Sequence, residues 1–76
     1  SATTVTSTKV FGTVSQIAVS GSVAADITVG KLNTIVNQSA LVTITSSASD
    51  ESGKTFTVVG TGMDGTSLTE IITGPA

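Results

Sequence analysis

The sequence predicts an all-β domain, and three observations predict it. Thr, Val and Ile dominate the 76 residues, and β-branched side chains suit the pleated, half-buried surface of a strand. Apolar and polar residues alternate over short stretches, the period of a strand with one face buried. Gly, Ser and Asp cluster between those stretches, which marks them as turns. The expected architecture is a small antiparallel β-sandwich or partly open barrel, immunoglobulin-like in general architecture. Residues 10–76 form its single domain, and residues 1–9 form an extended N-terminal arm.

Taken in order, residues 1–9 are Ser/Thr-rich, an arm or a strand in need of a partner. Val10 to Ser20 reads as a strand, with Gly12 as a bulge or bend. Ile17 and Val19 share one face there, and Gln16, Ala18 and Ser20 the other. Ser20-Gly21-Ser22 is a turn, and Asp26 to Gly30 is a short strand with Ile27 and Val29 inward. In Lys31 to Ser39, Leu32, Ile35 and Val36 have the spacing of a single helical turn. Asn33, Asn37 and the short length favour an irregular loop instead. Ala40 to Ser46 returns to alternation, with Val42 and Ile44 on one face, and "SASDESGK" is a loop.

The final stretch, "TFTVVGTGMDGTSLTEIITGPA", reads as a hairpin whose register is set by its turn. An Asp64-Gly65 two-residue turn would pair Met63 with Thr66. A three-residue loop of Met63, Asp64 and left-handed Gly65 would pair Gly62 with Thr66. A one-residue slip exchanges the faces, so side-chain sorting decides. The three-residue register gathers Phe56, Val58, Gly60, Leu68, Glu70 and Ile72 on one face and mostly Thr on the other, so it is preferred. The expected core is therefore Phe11, Ile17, Val19, Ile27, Val29, Val42, Ile44, Phe56, Val58, Leu68 and Ile72. Glu70 conflicts with its apolar neighbours. It reads as an edge-strand charge that deters unwanted pairing, or as a carboxylate at a contact between domains.

Function classes narrow by exclusion. With no Cys and no His, disulfides and nearly all zinc or copper sites fall away, as do the usual bases for a serine nucleophile. Asp50 and Glu51 are adjacent and point oppositely in extended chain, so no acid/base pair forms. Asp64, Asp50 and Glu51 do not make a calcium loop, and "VVGTGMDG" lacks the Lys-Ser/Thr and helix of a phosphate loop. The expectation is no enzyme, no cofactor and no small-molecule substrate. A net charge of −2 with three scattered lysines argues against nucleic acid. No apolar run approaches the roughly 18 residues of a membrane span, and the polar start "SATTVTST" carries no signal-peptide pattern. A chain this small buries only about 60% of its unfolded surface, so oligomerisation or a longer chain is the expected source of further stability. Ser and Thr make up about a third of the residues, giving neutral faces on which copies could pack.

The hairpin "TFTVVGTGMDGTSLTEIITGP" resembles a segment of virion structural proteins of tailed bacteriophages. "STKVFGTVSQIAVSG", Ser7 to Gly21, resembles the segment that follows it in those proteins. Here the order is reversed, and joining Ala76 to Ser1 as "ITGPA–SATTVTSTKVFGTV" restores it. The chain thus looks like one repeat or subunit cut at a linker. The resemblance implies a structural role in a particle, a capsid decoration or tail component. It implies location in a virion assembled in the host cytoplasm, with further copies and other virion proteins as partners. Residues 1–9 are expected to add as a strand to a neighbour, with Val5 and Val10 as apolar anchors. The alternatives are a non-viral filament or adhesin repeat, and a small carbohydrate-binding module.

Overall fold

The computed structural model describes residues 2–22, 26–35 and 39–76. Among the described residues six strands are present: β1 (Thr3–Thr6), β2 (Thr13–Val19), β3 (Ile27–Ile35), β4 (Ser39–Ser46), β5 (Thr55–Thr61) and β6 (Ser67–Thr73). They form two three-stranded antiparallel sheets, ordered β1-β4-β3 and β2-β5-β6. The sheets do not close into a barrel; they pack as a small sandwich around a shared core. No described residue is helical.

That core joins Phe11, Val42, Ile44, Phe56, Val58 and Ile72, with Val5, Val14, Ile17, Val19, Ile27 and Leu68 packed against it. Alternation places these side chains inward because successive residues of a strand face opposite ways. Ile44 and Val58, one on each of the two middle strands, lose all exposure to solvent. At about 25 cal/mol per Å² of apolar surface removed from water, such side chains supply most of the drive to fold.

The hairpin adopts the three-residue register. Gly60 pairs with Leu68, Val58 with Glu70 and Phe56 with Ile72. The Gly62 amide donates to the Thr66 carbonyl at 2.9 Å, and Gly65 takes a φ of +81°, a conformation that costs glycine nothing. Asp64 accepts the Thr66 amide at 3.1 Å and so braces the loop.

Three expectations are corrected. Lys31 to Ser39 is neither helical turn nor irregular loop where it is described. β3 runs on to Ile35, pairing Lys31 with Val42, Leu32 with Leu41 and Asn33 with Ala40. The helical spacing of Leu32 and Ile35 gives way because the β4 ladder offers each backbone group a partner; Val36 and Asn37 lie outside the described residues. Val29 faces inward opposite Ile44 yet remains 47% exposed, since β3 is an edge strand that the second sheet does not cover. Gly12 is a bend, as expected, and a further extra residue, Ser15, bulges between Val14 and Gln16. That extra residue brings Val14 into the core beside Ile17, three positions on. Finally, the expected arm folds back on its own chain. Thr3–Thr6 pairs with β4 from Thr3–Ser46 to Thr6–Thr43, because Val5 there covers core that a free arm would leave wet.

Between β1 and β2 the chain changes sheets. Phe11 still exchanges hydrogen bonds with Ala40 of the first sheet, at 2.9 and 3.1 Å, while the Gly12 amide already donates to Thr61 of the second at 2.8 Å. Gly60 lets β2 lie this close. A β-carbon there would sit 1.9 Å from the Thr13 carbonyl oxygen.

Candidate functional site

One side of the sandwich, where β1 and β6 run past each other, carries a connected set of polar contacts. The site begins with Ser7, which is buried. Its amide donates to the Val42 carbonyl at 2.8 Å, and its hydroxyl accepts the Val42 amide at 2.9 Å. The same hydroxyl donates to the Lys9 carbonyl at 2.8 Å. A side-chain oxygen thus replaces the main-chain carbonyl that a regular ladder would use. The chain can leave β4 over Thr8–Lys9 without stranding a buried amide.

Leaving the ladder turns the Thr8 and Lys9 amides toward β6, and Glu70 receives them. Thr8 N–H reaches both carboxylate oxygens, at 3.1 and 2.9 Å, and Lys9 N–H donates to Oε1 at 2.9 Å. The Thr8 hydroxyl adds a bond to Oε2 at 3.1 Å. Alongside, the Lys9 ammonium donates to the Thr69 carbonyl at 2.8 Å. Partial burial raises the Glu70 pKa, but the Thr8 and Lys9 amides, the Thr8 hydroxyl and the Lys9 charge outweigh it. The carboxyl is held below its ordinary value, because every one of those partners favours the ionised form. Glu70 therefore lies on the inner face for a reason: it clasps the first sheet to the second.

The opposite side, between β2 and β3, has no such clasp among the described residues. There the sheets part around an apolar cleft of about 170 Å³, lined by Val14, Ile17, Val29, Gly30 and Val42.

One end of the sandwich is built from loops. Asp26 accepts the Ala48 and Ser49 amides at 2.9 Å each and the Ser49 hydroxyl at 2.7 Å. The Ser49 amide, then its hydroxyl and the Ala48 amide, hold the Asp26 pKa well below the usual carboxylate range. Glu51 is buried and paired with Lys54 at 2.9 Å, and its amide donates to the Pro75 carbonyl at 2.7 Å. Pro75 is itself fully buried, so Gly74-Pro75 is packed into the domain.

Of the sequence-predicted residues, Glu70 lies in the clasp and Val5 packs against the core. Val10 is half-buried just before Phe11. Asp64 and Gly65 lie in the distal hairpin loop. Sequence reasoning missed Ser7, Glu51 and Pro75. Glu70 carried a signal, being out of place in its alternation; Ser7 sits in a Ser/Thr run and carried none. The outer face of β5 and β6 carries Thr57, Val59, Thr61, Thr69, Ile71 and Thr73, with no charge among them. Ile71 is 66% exposed there. Among the described residues no group of three or more acidic side chains could hold a metal ion. Comparison with family models, curated proteins and solved structures gave no match.

Proposed function

We propose that the chain is a structural subunit of a bacteriophage particle, a capsid decoration or tail component, assembling through strand edges and neutral Thr-rich faces. The observation that carries this reading is the pair of small open sheets. Each has two edge strands, and the second presents an uncharged outer face with Ile71 exposed. Edge strands template pairing with further chains, and an uncharged face packs on another without stranding a buried charge. The resemblance of the hairpin and of Ser7–Gly21 to tailed-phage virion proteins supplies the particle. Its partners are then further copies of itself and other virion proteins.

Electron microscopy of the purified chain across a range of concentrations tests the proposal. Tubes, rings or shells of regular subunits are expected. An open fibre would favour the filament or adhesin reading. A monomer at every concentration that binds glycans would favour a carbohydrate module and overturn the proposal.

A further inference from the structure

We propose that β1 is an exchangeable strand, and that the β4 edge it occupies is the docking surface for the β1 segment of a second copy. This inference rests on the assembly reading above and names the contact through which copies are joined.

Three observations lead there. First, β1 is a short element separable from the rest. Four residues pair with β4, Val5 is their inward-facing apolar residue, and the chain then leaves the ladder over Thr8–Lys9. That departure is where a hinge would turn β1 outward. Second, the edge it leaves cannot stay empty. Without β1, Ile44 and Val42 would meet water, and the Val42 amide and carbonyl would both lose their Ser7 partners. Third, the socket is selective for this segment. It requires an apolar residue opposite Ile44 and, two positions later, a hydroxyl that accepts the Val42 amide while donating to the carbonyl two residues on. Val5-Thr6-Ser7 meets both demands, so the segment that fits is the one every copy carries.

Reciprocal exchange preserves each of these contacts and changes only which chain supplies them, so it adds little energetic cost beyond association. Glu70 is then a positioning residue. Its bonds to Thr8 and Lys9 hold the hinge against β6 and favour the closed, self-paired form. Loosening them makes β1 available.

The chain has no cysteine, so cross-strand trapping is free of background. Thr4 and Thr45 are direct partners whose hydroxyls lie 2.8 Å apart on the exposed face. Thr4→Cys chains and Thr45→Cys chains are mixed at high concentration, incubated and oxidised, and the products are mapped by mass spectrometry. A 4–45 disulfide between chains is expected in clear excess over 4–4 and 45–45 links, with Glu70→Gln raising its yield severalfold. The double variant Thr4→Cys/Thr45→Cys, diluted, should close the same bond within one chain and so certifies the fold. Equal yields of all three links, or none between chains while the double variant closes, overturn the exchange. Chains that assemble by light scattering without a 4–45 link sink the exchange alone. Chains that stay monomeric at every concentration sink both the exchange and the assembly reading.

Discussion

The two long sides of this sandwich are finished differently. On the β1/β6 side a carboxylate reaches across the gap and is met by two amides, a hydroxyl and a lysine charge. On the β2/β3 side the sheets part around an apolar cleft, and the inward residue Val29 stays half-exposed. The clasped side is directional and specific, since each bond needs its partner in place. The open side is non-directional and tolerant. Removing a group that another buried or half-buried group depends on costs more than removing one that water already shares, so the two sides should answer substitution very differently.

The largest effect is expected where both sides meet. Ile44→Ala in the fully buried centre should cost about 2–5 kcal/mol by denaturant unfolding, enough to leave a domain this small largely unfolded at room temperature. Next comes Glu70→Gln, which keeps the shape of the side chain but removes its charge and leaves an amide NH₂ facing a donor. A loss of about 1–3 kcal/mol is expected, the range for hydrogen bonds to a charged group. An effect as small as that of an isolated surface charge would mean the clasp holds nothing.

Acidification should weaken the same side without any substitution. The folded Glu70 carboxyl titrates below its ordinary value of 4.5, so its contribution is fully present above that value. It is lost as pH falls through the depressed folded value, because the unfolded chain then binds the proton more readily. Lys9 is the charged group that faces Glu70. Asp26 is also held low, at the loop end of the fold, so the clasp is identified by the part of the pH dependence that Glu70→Gln abolishes. The smallest effect belongs to the open side: Val29→Thr should shift stability by less than about 1 kcal/mol, as at a partly exposed edge position. A large loss there would show the cleft to be closed in solution.

How much of this was legible in the sequence follows the same division. The hairpin register could be read because Asp64-Gly65 fixes a turn type and the flanking alternation permits only one sorted face. Phe56, Val58 and Ile72 follow from that register alone. Val14 could not be read, because the Ser15 bulge that turns it inward depends on the fit of β2 to β5, and no local residue demands it. β3 was shortened for a related reason: its polar residues say loop, and only the β4 ladder makes them strand. Val29 was placed on the right face but not at the right depth, since period gives direction and tertiary cover gives burial. Glu70 was visible as an anomaly, whereas its partners, Thr8 and Lys9, lie more than sixty positions away and carry no local mark. The burial of Pro75 against Glu51 is equally non-local.

The most direct test is residue-resolved amide hydrogen exchange on the wild-type chain and on Glu70→Gln, at a concentration where both are monomeric. Opening of the clasped side should strip protection from Ser7, Thr8, Lys9 and the β1 amides bonded to β4, while Val58 and its neighbours in β5 keep theirs. Uniform loss across both sheets, or unchanged protection at β1, would contradict the claim that a single carboxylate holds this strand in place.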